Sequence, residues 1–190
     1  IEILDYVTLS EEIAQEIPLD HVDDEWLMNA AMNSSVIHIR KIKRVMDLTV
    51  SVLGLILLAP VWLIAALVIR LDSRGPVLYR QRRAGLEGHP YTLYKLRTMR
   101  QDAEASSGAV WADRYDSRIT RVGRFLRKWR IDEIPQLINV LRGEMSLVGP
   151  RPERPEFIDT LAEAIPFYRE RLLVPPGISG WAQVKYPYAA

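Results

Sequence analysis

At 190 residues and 48% hydrophobic, the chain has material for one ordinary core plus an appendage rather than for two full domains. Lys and Arg total 25 against 24 Asp and Glu, which excludes a global polyelectrolyte and makes the local distribution of charge the informative quantity. With no cysteine there is no disulfide framework, thiolate nucleophile or cysteine zinc site, and His21, His38 and His89 lack metal-ligand spacing, so any metal chemistry must use oxygen ligands.

Residues 1–38 are acidic, are broken by Pro18 and resemble no signal peptide. They read as a linker or the edge of a further N-terminal region, and the chain as an internal fragment. Residues 39–74 contain an uncharged run, Leu48 to Ile69, that as a straight helix would be about 33 Å long against a hydrocarbon core of about 30 Å. A single spanning helix is the plain reading. Two features favour another. Pro60, with Gly54 upstream, removes a backbone donor near the midpoint and favours a bend between two half-helices. Basic residues also flank both ends, with Arg40, Lys41, Lys43 and Arg44 before and Arg70, Arg74, Arg80, Arg82 and Arg83 after. Both ends then lie on the cytoplasmic side. The segment is expected to be re-entrant, turning at Ala59-Pro60 and leaving residues 75–190 as a catalytic domain on the cytoplasmic face.

Beyond it, Val77-Leu78-Tyr79 and Tyr91-Thr92-Leu93-Tyr94 flank a loop with Gly85 and Gly88, a hairpin signature. Residues 100–117 are polar and predict a mobile loop. From Arg118 to Arg130 there are six basic residues and no acid, while Ile119, Val122, Phe125, Leu126 and Trp129 recur at helical spacing. That pattern predicts an amphipathic helix on anionic lipid; a nucleic-acid surface is the competing reading, and the bilayer-length segment favours lipid. Asp132-Glu133-Ile134-Pro135 opens a short helix through Leu141, with Gly143 as its stop. Gly149-Pro150-Arg151-Pro152 and Pro175-Pro176-Gly177 make stiff loops.

Taken alone, Asp132 reads as a helix N-cap and Glu133 as a first-turn acid. Their position after a cationic membrane-surface stretch suggests more. Adjacent side chains at a helix start point about 100° apart, so the two need not share one proton and are free to take different roles. One can attack phosphorus while the other helps to hold Mg²⁺, with the positive helix end keeping both ionised. Arg151, pre-positioned between prolines, suits bidentate phosphate contact, and Arg127, Lys95 and Arg97 are further candidates for that electrostatic work.

These residues together resemble the monotopic phosphoglycosyl transferases, the bacterial sugar transferase family. The likeness runs from about Lys41 to Tyr188. It rests on Lys43-Arg44 with Asp47, Gly75-Pro76-Val77, Gln81 with Arg83 and Gly85, Tyr94 to Met99, Arg118-Ile119-Thr120, Asp132-Glu133, Leu147 to Pro152, and Pro176 to Val184. Ala59 and Ala84 depart from a serine and a proline found in relatives. The resemblance implies an α+β, mostly helical fold with a re-entrant helix-break-helix membrane segment, a small β-hairpin and amphipathic interfacial helices. It implies transfer of sugar-1-phosphate from a UDP-sugar to polyprenyl phosphate, with Mg²⁺ and release of UMP, initiating surface-polysaccharide assembly at the bacterial inner membrane. By position, Asp132 would be the nucleophile, Glu133 its partner in metal handling or activation, Arg151 a phosphate ligand, and Gln81 and Arg83 part of the substrate site. Further C-terminal helices are expected beyond Ala190. Neither the sugar nor the oligomeric state is specified, homodimerisation being one candidate.

Overall fold

A proline that cannot donate a hydrogen bond decides the first feature of the fold. The computed structural model describes residues 36–101, 103 and 116–185. It opens with α1 (Val36–Leu57) and α2 (Ala59–Asp72), separated at Leu58 and bent by 58°. Pro60 is within the first two positions of α2, where its missing N–H costs least. The backbone stays bonded across the bend, from Leu58 N to Gly54 O at 2.9 Å and from Trp62 N to Leu58 O at 3.0 Å. The break falls where the sequence predicts. The limbs are unequal, 22 and 14 residues, because α1 continues upstream through the basic run to Val36. Residues 36–38, expected to be linker, are therefore helical, whereas residues 1–35 lie outside the described residues. No single helix among the described residues is long and apolar enough to cross a membrane.

The hairpin follows as β1 (Leu78–Ala84) and β2 (Pro90–Leu96), antiparallel with Leu78 opposite Leu96 and Ala84 opposite Pro90. Of the polar stretch 100–117, residues 104–115 lie outside the described residues. Then come α3 (Arg121–Lys128), a single turn at Ile131–Glu133, and α4 (Gln136–Arg142). After α4 lie β3 (Ser146–Val148), α5 (Pro155–Ala164), a turn at Tyr168–Leu173, β4 (Gly177–Ser179) and α6 (Trp181–Lys185). Among the described residues the architecture is mostly helical, with two small two-stranded sheets.

Both limbs of the bent pair return to the same body. On α1, Asp47 Oδ1 accepts from Leu147 N at 3.0 Å, and Lys43 pairs with Asp47 at 3.5 Å and donates to Ser146. Arg44 donates to the C-terminal carbonyls of α4, Val140 O at 2.6 Å and Leu141 O at 2.8 Å. On α2, Ala65 and Ile69 are buried with Leu96 and Leu126. The faces turned away from the body are apolar and open, Leu57 being 72% and Leu71 79% exposed. An apolar surface of that kind marks an interaction site.

In α3, Thr120 accepts from Gly123 N at 2.9 Å as the N-cap. The apolar residues of this helix divide: Leu126 and Val122 join the core, while Phe125 and Trp129 project outward. Gly123 sits against the Thr98 carbonyl so closely that a Cβ there would collide with backbone. Gly123→Ala is therefore expected to destabilise by about 1–3 kcal/mol, lowering the melting temperature by roughly 3–10 °C. An unchanged melting curve in detergent would contradict this packing.

Candidate active site

Arg130 takes a left-handed backbone, φ 52°, and so reverses the chain after α3 into the Ile131–Glu133 turn. That turn buries two adjacent acids, Asp132 at 6% exposure and Glu133 at 8%. Neither caps α4. Its N-cap position is Pro135, which makes no side-chain cap, and α4 has only seven residues. The sequence reading of Asp132 as an N-cap, with both acids held ionised by a helix end, is thus corrected.

Side chains from other elements provide the positive charge instead. Lys95 Nζ on β2 lies 3.1 Å from Glu133 Oε1, and Arg130 Nη1 lies 3.3 Å from Glu133 Oε2. Arg127 on α3 is directed by a bond from Nε to Thr98 Oγ1 at 2.8 Å and acts on Asp132 through its charge. The two carboxyls consequently shift in opposite directions. Burial, reinforced by the neighbouring Glu133, pushes Asp132 above the usual carboxylate range, and Lys95 and Arg127 only partly offset it. Burial also pushes on Glu133, but the charge and hydrogen bond of Lys95, with Arg151 and Arg130, outweigh it and hold this group low. Lys95 itself is lowered by burial, partly restored by Glu133. Adjacent acids with diverging environments are suited to different chemical roles.

Arg151 lines an open pocket with Arg83, Lys95, Glu133 and Gln136, so the structure brings together four of the residues singled out in the sequence. Its loop is held by Arg171 Nη2 donating to Arg151 O at 2.5 Å. Arg83 reaches across to the same loop through Pro152 O at 3.0 Å. Gln81 Oε1 accepts from Arg83 Nε at 3.0 Å and Nη2 at 2.6 Å, which makes it the group that orients Arg83. Arg97 belongs elsewhere: its guanidinium caps the end of α2, donating to Ser73 O at 2.7 Å, Ser73 Oγ at 2.9 Å and Arg74 O at 3.0 Å. Its Nη1 and Nη2 donors serve the chain at the end of α2, and only its buried Nε lacks a partner among the described residues, so a role as a phosphate contact is corrected.

Arg130 and Gln136 escape a reading of the sequence, the first because it looks like one more surface cation of a basic helix and the second because no spacing marks it. Thr98 and Gln183 fall within motifs of the family resemblance but receive no role from it.

Among the described residues no cluster of three or more His, Cys, Asp or Glu could enclose a metal. Mg²⁺ does not need one, because it takes one or two carboxylates and completes its shell with substrate phosphates and water. Each oxygen of Glu133 already faces a cation, whereas Asp132 has no ion pair among the described residues, so Asp132 is the better placed to hold such an ion.

A family model described as bacterial sugar transferase matches residues 38–190. A protein of Aeromonas hydrophila named UDP-N-acetylgalactosamine-undecaprenyl-phosphate N-acetylgalactosaminephosphotransferase is 44% identical over 182 residues, 96% of this chain and 42% of the relative. UDP-glucose:undecaprenyl-phosphate glucose-1-phosphate transferases are similar too. That of Caulobacter vibrioides is 50% identical over 75% of this chain and 53% of its own length, and that of Escherichia coli is 43% identical over 76% and 31%. The chain thus spans about half or less of these relatives.

The opposed shifts predict opposed stability effects. A folded-state value above the unfolded one favours the protonated fold, and that advantage disappears as pH rises through Asp132's range. Asp132→Asn should therefore melt higher than the parent at pH 7 and converge with it in acid. Glu133's depressed value stabilises the fold above the ordinary carboxylate range and is lost as pH falls through its folded value. Glu133→Gln should melt lower at pH 7, with the gap closing in acid. Thermal melts across pH that put both variants on the same side of the parent would refute the assignment.

Proposed function

This chain belongs to the bacterial sugar transferase family, and from that premise we propose that it transfers a sugar-1-phosphate from a UDP-sugar to undecaprenyl phosphate. The observation that carries this reading is the buried Asp132-Glu133 turn, with its carboxyls shifted apart and Lys95, Arg127, Arg130 and Arg151 around it. Such a site accommodates a nucleophilic carboxylate and a polyanionic substrate at once.

In this proposal an oxygen of Asp132 attacks the β-phosphorus of the donor. The bond from that phosphorus to the bridging oxygen breaks, and UMP leaves with the oxygen. An oxygen of undecaprenyl phosphate then attacks the same phosphorus, the bond to Asp132 breaks, and the carboxylate is regenerated beside a lipid diphosphosugar. Burial makes Asp132 more basic and hence a better nucleophile, and Lys95 and Arg127 keep enough of it anionic to react. Glu133 stays ionised and holds Lys95 and Arg130 in place. Arg151, aided by Arg83, neutralises phosphate oxygens. Asp132, and Glu133 if it releases a cation, are the residues that would hold Mg²⁺, which supplies charge neutralisation on the diphosphate.

The bent pair is proposed to enter the bacterial inner membrane from its cytoplasmic face and return. Support comes from both limbs packing on one body, from the exposed apolar faces, and from Phe125 and Trp129 projecting from the basic α3. The site would then sit at headgroup level, where the acceptor's phosphate lies. The relatives' names specify both glucose and N-acetylgalactosamine, so the family leaves the sugar open, and initiation of a surface polysaccharide is the proposed context.

Mixing the chain with a panel of UDP-sugars should give an intact mass raised by one phosphosugar and release UMP rather than UDP. Asp132→Asn should lose the adduct and slow UMP release by about 10³-fold or more. Undiminished turnover by that variant would remove Asp132 from the chemistry. Lys95→Met takes away a cation that lowers Asp132, so the acid limb of its kcat/KM profile should move to higher pH. A downward move would contradict the electrostatic account.

A further inference from the structure

Two amide groups beside the phosphate-binding side chains each keep one buried atom without a partner among the described residues. Gln136, at the start of α4, is 3% exposed, yet its Nε2 meets no acceptor among the described residues. Gln183 on α6 donates from Nε2 to Ile178 O at 3.2 Å, which fixes the orientation of its amide. Its Oε1 is then buried and meets no donor among the described residues. Both side chains line one open pocket, together with Leu93, Ile178, Lys95 and Arg151. A buried polar group left unpaired is costly, and native proteins keep few of them. A donor and an acceptor left open in the same pocket match an occupant that offers both.

We propose that this pocket is the sugar subsite of the transferase, in which Gln136 donates to, and Gln183 accepts from, the hydroxyl or acetamido substituents of the donor's sugar. The proposal rests on the transferase reading and makes the two amides its specificity determinants. Position supports it, because a sugar attached to the β-phosphate lies one bond beyond the group that Lys95 and Arg151 would bind. The combination of two amides with the apolar contacts of Leu93 and Ile178 resembles a site for a ring with polar substituents and an apolar face.

The test uses the full chain in phospholipid nanodiscs with UDP-glucose, UDP-galactose, UDP-N-acetylglucosamine and UDP-N-acetylgalactosamine, reading UMP release for the parent, Gln136→Met and Gln183→Met. Loss of a hydrogen bond of this kind should lower kcat/KM for the preferred donor by about 10–100-fold and narrow the spread between best and worst donors to match. Inhibition by UMP should be unchanged, and Gln136→Met should melt at or above the parent's temperature because it removes an unsatisfied group. Should that variant fail to fold, the narrowed spread must appear in Gln183→Met. An equal loss on every donor with weaker UMP inhibition would assign the amides to the nucleotide and overturn the subsite. An unaltered order and spread of donor preference would overturn it as well. A parent chain that releases no UMP from any donor would sink the transferase reading and take the subsite with it.

Discussion

The ion pair between Lys95 and Glu133 is the interaction on which the site depends. Two adjacent carboxyls in a buried turn would raise one another, and burial would add to the effect. A cation 3.1 Å from one of them breaks the symmetry. Glu133 becomes the more acidic member, and Asp132 becomes the more basic one, still within the field of Lys95 and Arg127. A buried pair of this type is weak evidence for stability, since desolvation consumes much of its Coulomb energy. Its contribution here is to give two carboxyl groups opposite shifts in proton affinity.

Holding that turn requires the bent helices and the body to act as one unit. Arg44 and Arg97 do equivalent work from opposite sides. Each directs a guanidinium at carbonyls near a helix end, Arg44 at the last ones of α4 and Arg97 at those of Ser73 and Arg74 just past α2, where the helix dipole favours a cation. Asp47 adds the bond to Leu147 N that aligns β3 with α1. Polar residues at the edges of the apolar run therefore clamp it to the body, and the apolar faces remain outward.

The loop bearing Arg151 is placed by a second device. β3 and β4 pair in parallel, Ser146 opposite Gly177 and Val148 opposite Ser179, so that the Gly149–Pro152 and Pro175–Gly177 segments lie side by side. Gly177 has to be glycine, because a Cβ there would strike the backbone of Gly149. That close approach carries the Pro150-Arg151-Pro152 loop to the pocket shared with Lys95 and Glu133. Parallel pairing between three-residue strands so far apart in the chain leaves no periodic trace, which is why the sequence shows two stiff loops but not their adjacency.

Much of this was legible beforehand for local reasons. Pro60 dictates a helix break because it lacks a donor, Gly85 and Gly88 make a hairpin loop, and Gly143 ends α4 with φ 83° because it has no side chain to clash. The ordered motifs point to the family, and Asp132, Glu133, Arg151 and Lys95 to one site. What local chemistry could not supply was the partner of each charge. Arg97 and Arg127 look alike in sequence, yet one caps a helix and the other faces Asp132. Gln136 carries no motif and emerges only as a buried amide whose Nε2 meets no acceptor among the described residues. By itself the sequence determined where the backbone bends and stops, since proline and glycine act on their own dihedrals. Tertiary structure alone decided which carboxyl is basic, which arginines are occupied and which amides are open, because burial and Coulomb energy depend on distances between residues far apart in the chain.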